Sequence, residues 1–165
     1  MYESRRARIY PPVWRVCLAF LLMPAAAAIM MAFVAPAYEG LPTAIERLTA
    51  TAKLDASLGA YPTAIVVGLP TYFILRRHFS ARPLICAVAG AVVAALPWLF
   101  LVLVTSGASS ASIGGQATII DGHYAAYGWL ESTYFIAQIA LVGWTAGFLF
   151  WAIAAAGFKQ PDGRR

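Results

Sequence analysis

Four long stretches of this chain hold no aspartate, glutamate, lysine, arginine or histidine: residues 16–38, 56–75, 83–106 and 132–158. Charged residues make up 12% of the whole and hydrophobic residues 61%, whereas soluble domains carry about a quarter charged side chains. Each stretch has 20 residues or more, enough for a helix rising ~1.5 Å per residue to cross about 30 Å of hydrocarbon. The shortage of charge excludes an ordinary water-soluble globule. Its distribution predicts a single-domain, all-α integral membrane protein with four transmembrane helices at 16–38, 56–75, 83–106 and 132–158.

The missing groups exclude chemistries as well. Ionisable side chains inside a bilayer are costly and mark proton relays and ion pathways, and none is present in the four runs. A proton-coupled exporter built on a buried carboxylate, or a haem bundle built on intramembrane histidine, therefore lacks its key residue. The two histidines, His78 and His123, fall on opposite sides of the expected membrane and cannot share a metal. Two cysteines, Cys17 and Cys86, are too few for a disulfide framework and have no C-x-x-C spacing. They sit at similar depth in the first and third runs and are expected to serve as small apolar packing residues. With no nucleophile–base pair visible either, the expectation is a protein without cofactor or enzymatic activity.

What charge there is falls unevenly. The segment Arg76-Arg77-His78-Phe79-Ser80-Ala81-Arg82 lies between the second and third runs, and an excess of lysine and arginine marks the cytoplasmic face of a membrane. Arg76, Arg77 and Arg82 thus set the topology. With that loop inside, ten of the 12 basic residues lie on one side, with Arg47 and Lys53 the exceptions. Five of the seven acids (Glu39, Glu46, Asp55, Asp121 and Glu131) lie on the other. Both termini are then cytoplasmic and the spans form an antiparallel bundle. The net charge of +5 reads as a topology signal with some attraction to anionic lipid. It does not point to nucleic acid, because no basic face interleaved with aromatics is present.

Residues 1–15 are basic, and Pro11-Pro12 delays the first helix. A basic start before an apolar run also describes a signal peptide, but this run is longer than the 7–15 residues such a leader uses, so an uncleaved span is expected. Between the first two spans, Thr43-Ala-Ile-Glu46 fits a capping box. Leu41, Ile45, Leu48 and Ala52 recur at helical spacing, predicting a short amphipathic helix over about 43–55 on the outer surface. Pro83 suits the first turn of the third span. The segment 107–131 is expected to be an outer loop, broken at Gly114-Gly115 and Asp121-Gly122, with its second half, Asp121 to Glu131, interfacial.

Within the spans three features stand out. Gly143-Trp-Thr-Ala-Gly147 is a G-x-x-x-G, extended by Ala140, and Ala87, Ala91 and Ala95 form a second small-residue stripe; such faces let helices approach closely. Gln138 and Thr63 are polar residues at comparable depth and candidates for an interhelical contact. Pro24, Pro62, Pro70 and Pro97 interrupt the first three spans, and each frees a carbonyl that lipid cannot satisfy.

These features carry two functional expectations. The first is a non-enzymatic packing, accessory or interaction protein of a bacterial inner membrane, working in the lipid bilayer alone, as a homo-oligomer or within a larger membrane complex. The second is a small transporter or channel-like protein with a site at the proline-kinked spans near Thr63, Pro70, Thr71, Tyr72 and Pro97.

Overall fold

A computed structural model describes residues 11–38, 40–79, 82–104, 110–113 and 115–157. The basic termini, from Met1 to Tyr10 and from Phe158 to Arg165, lie outside the described residues, as do the expected last residues of the third and fourth spans. Four helices are long and apolar enough to cross a membrane: α1 (Val13–Val34), α2 (Ala44–His78), α3 (Pro83–Val104) and α4 (Ala126–Ala154).

Helix α1 starts directly after Pro12, which is extended at φ −60°, ψ 139° and has no N–H to leave unpaired. Its start is tied to the far end of α4, because the guanidinium of Arg15 donates from Nη2 to the carbonyl of Ala156 at 3.2 Å. Ala156 lies two residues past the end of α4, where a cation is also favourable against the helix dipole. At the other end, Tyr38 adopts φ +60° and its carbonyl accepts from Leu41 N–H at 3.1 Å, turning the chain toward α2.

Helix α2 corrects one expectation. The helix expected over about 43–55 is present at Ala44–Leu54, but it does not end there: the helical backbone runs on for 35 residues from Ala44 to His78. Its start does follow the capping pattern, with Thr43 Oγ1 accepting from Glu46 N–H at 3.2 Å. The charges at 46–55 stop the apolar run but not the backbone ladder, and the amphipathic turns stand as an extension of the second span. Thr51 anchors them. It is 2% exposed, accepts from Ala37 N–H at 3.0 Å and donates to Arg47 O at 2.8 Å. Thr51→Val keeps the shape but leaves the Ala37 N–H without its acceptor, a loss of about 1–3 kcal/mol. Equilibrium unfolding in detergent should show it, with Thr51→Ser retaining most of the stability.

The segment expected as an outer loop also departs from expectation. It holds a three-stranded antiparallel sheet, β1 (Ser110–Ile113), β2 (Gln116–Ile120) and β3 (His123–Tyr124), in the order β1-β2-β3. Asp121 and Gly122 both have positive φ, +49° and +78°, the backbone of a type I′ hairpin turn. The sheet rests on the start of α4, six residues earlier than the expected span. Ala125 N–H donates to Thr118 O at 2.9 Å, and a Cβ on Gly128 would collide with that same carbonyl.

The closest helix packing joins α3 to α4. A Cβ added at Gly147 would run into Cys86 O and meet Ala87 Cα at 3.1 Å, and one at Gly143 would press on Ala94 Cβ and Gly90 O. A Cβ at Gly90 would strike Gly143 O in return. The small face of α3 is therefore 87-90-94. Of the expected stripe, Ala87 is fully buried while Ala91 and Ala95 are half-buried beside the seam. The reason is helical phase: steps of four drift off a line of contact that steps of three and four follow. Along α4 the buried positions Ile139, Gly143, Gly147 and Ala154 share one face, and Ala140 is half-buried next to it.

Candidate functional site

Proline dictates the shape of a large concavity among the described residues. Within α2 the turns before Pro62 and Pro70 widen to π geometry, over Asp55–Ala60 and Ala64–Gly68. The N–H of Tyr61 bonds to Ala56 O and that of Leu69 to Ala64 O, five residues back in each case. A proline ring clashes with the carbonyl four residues earlier and supplies no N–H to it, and one wider turn relieves that clash without breaking the helix. Helix α2 therefore carries two bends of known cause.

Between those bends and below them, α2 meets its neighbours at separate points. At Gly68 it approaches both, since an added Cβ would touch Phe20 of α1 at 3.6 Å and Val93 of α3 at 3.7 Å. Further on it is held by aromatic edges. Tyr72 meets Phe20 at 5.7 Å and Phe150 at 6.2 Å between ring centroids, and Phe20 meets Phe150 at 5.1 Å. These rings pack on the small core of Val16, Ala19 and Ala154. The space left between α2 and the other three helices is a cleft of about 1710 Å³, walled by residues of all four.

The chemistry of the wall is graded. Most of it is alanine, glycine and aromatic or branched apolar side chains. Thr71 Oγ1 donates to Val67 O at 2.7 Å, so its polar atom turns back onto its own helix. At one end stand Thr51 and Asp55; at the other, Arg76, Arg77, His78 and Arg82. Arg77, His78 and Arg82 are exposed and Arg76 is half-buried. The concavity thus pairs a greasy interior with a cationic rim. Such a site can bind an apolar or amphipathic molecule. Among the described residues no three His, Cys, Asp or Glu side chains gather where they could hold a metal.

The expected site residues divide into three groups. Thr63, Thr71 and Tyr72 line the cleft, as do Gly143 and Gly147 at its back wall, whereas Pro70 and Pro97 do not. Gln138 is half-buried on α4 and away from the cleft, and among the described residues it makes no hydrogen bond to Thr63. A polar contact between α2 and α1 is made instead by Tyr61, whose hydroxyl donates to Leu21 O at 2.8 Å, in the turn that precedes Pro24. The carbonyl that Pro24 leaves without an N–H is that of Phe20, so the Tyr61 hydroxyl bonds to its neighbour in the same turn. Tyr61→Phe should cost ~0.6 kcal/mol, and at most ~1.7, in detergent unfolding. Cys17 is exposed and Cys86 half-buried, and both are free thiols.

No protein-family model, curated protein or solved structure matches this chain.

Proposed function

We propose that this chain is a non-enzymatic, multi-pass protein of a bacterial inner membrane that takes an apolar or amphipathic molecule from the bilayer into the cleft between α2 and the other spans. The observation that carries this reading is the cleft itself, about 1710 Å³ and walled by all four helices. It exceeds the few hundred to about 1,000 Å³ of ordinary ligand pockets. For the first expectation, a packing, accessory or interaction protein, the G-x-x-x-G offers no free face to a second protein. Gly143 and Gly147 are buried against α3 of the same chain. In this reading both termini lie on the cytoplasmic side with Arg76, Arg77 and Arg82, and the spans alternate in direction, in keeping with the charge asymmetry.

The test is native mass spectrometry of protein purified in mild detergent, followed by titration with lipid. A bound molecule of lipid mass should persist at one per chain. Thr71→Trp and Ala89→Phe each add bulk to one wall of the cleft, Thr71 on α2 and Ala89 on α3. Each should reduce occupancy by about tenfold, equivalent to ~1.4 kcal/mol of lost contact, while the far-UV helix signal stays at wild-type level. Unchanged occupancy in both variants would remove the cleft as the binding site.

A further inference from the structure

We infer that the occupant of the cleft is an anionic, phosphate-bearing glycerolipid from the leaflet on the arginine side, its headgroup at Arg76 and Arg82 and one acyl chain running inward along α2. The inference rests on the reading of the cleft as the ligand site and adds the chemical class of the ligand.

Three features of the site lead to it. The first is charge. The rim at this end brings the four basic side chains of Arg76, Arg77, His78 and Arg82 to the mouth of one cavity. Guanidinium groups present planar, multi-donor faces suited to phosphate oxygens. The second is distance. From Arg76 to Thr63 the helix rises ~20 Å along its axis, allowing ~1.5 Å per residue, against the ~15 Å depth of one leaflet's hydrocarbon. An acyl chain whose headgroup sits at the arginines therefore ends within the apolar part of the cleft, short of Asp55. The third is the wall along that path: Thr71 is internally bonded, and Phe20, Tyr72 and Phe150 present rings. A chain is accommodated there, whereas a polar solute would find few partners.

Occupancy by a second copy of this protein would bring another arginine-rich end to the same rim, so like charges oppose it. A neutral lipid would fill the apolar part but leave the rim's attraction unused. Each arginine near an anionic surface contributes enough for roughly a fivefold preference, so two together give about thirtyfold.

The experiment is native mass spectrometry of the full chain in mild detergent, titrated separately with phosphatidylglycerol and phosphatidylcholine of identical acyl chains. The expected result is about a thirtyfold preference for phosphatidylglycerol in wild type. It should fall to within about twofold in R76Q/R82Q and survive in R76K/R82K, which keeps the charge and so separates it from any packing defect. Equal binding of the two lipids in wild type, lost in Thr71→Trp, would overturn the anionic assignment and leave the cleft as a lipid site. Binding of neither lipid would overturn both. A preference unaffected in R76Q/R82Q, or a dimer free of lipid, would also overturn the proposal.

Discussion

Gly147→Leu should abolish stable packing of α3 on α4, lowering unfolding free energy in detergent by at least about 3 kcal/mol, the upper end of ordinary overpacking costs. The expectation is larger than for a crowded side chain because the obstacle is backbone. A Cβ at residue 147 runs into the carbonyl of Cys86 and lies 3.1 Å from Ala87 Cα, and no rotamer change can clear it. The two helices would have to separate along their seam, and Gly90 and Gly143, which also admit no Cβ without collision, would lose their contacts together. In a bilayer such an interface is held by van der Waals packing and has no hydrophobic drive between helices to compensate. Titration with a denaturing detergent, read by helix content and tryptophan emission, measures the loss. Gly59→Leu is the matched control, since nothing lies within 4 Å of a Cβ there, and it should change stability little. A Gly147→Leu protein as stable as that control would mean the seam is not formed as described.

Reversing the loop charge should redirect the middle of the chain. In a protein carrying Arg76→Glu, Arg77→Glu and Arg82→Glu, a reporter inserted after Phe79 should lose most of its cytoplasmic signal. Only residues 79–82 separate α2 from α3, which is the short-loop regime in which lysine and arginine decide orientation. The three exchanges remove three arginines from the loop, worth about 7 kcal/mol across a potential of 100 mV at ~2.3 kcal/mol per charge, while the added glutamates count for little. Packing of the single pair α3 and α4 cannot offset that. Paired alkaline phosphatase and fluorescent protein fusions at the same point read the outcome from both sides. A reporter unmoved by the triple change would show that other segments set the topology.

The four spans and their approximate places are plain in the sequence because absence of charge over 20 residues has few explanations. Thr43 as a cap and Pro83 as a helix start are equally legible, since each depends on its own neighbours alone. The continuity of α2 is not. Asp55 bounds an apolar run, but the backbone bonds that carry the helix through it are indifferent to side-chain charge, so polarity marks the limit of the apolar run and not the limit of the helix. The sheet at Ser110–Tyr124 is hidden for another reason. Asp121-Gly122 is a strong hairpin signal, yet read among serines and glycines it resembles a plain breaker. The glycine pair Gly143 and Gly147 announces a close approach without naming the partner. Only the structure supplies Gly90 and Ala94 opposite, a register set by how two cylinders cross. The cleft is least legible of all, because it is defined by where α2 fails to touch its neighbours.

Each widened turn in α2 holds one residue more than an α-helical turn would, so the helix carries two supernumerary positions between Asp55 and Gly68. At 3.6 residues per turn, one residue is worth about 100° of azimuth. The direction in which Tyr72 and Arg76 point, relative to Thr51, is therefore a phase angle written by those two insertions. Deleting a single residue from either would scarcely shorten the rod, by ~1.5 Å, but would swing its arginine end about a quarter turn.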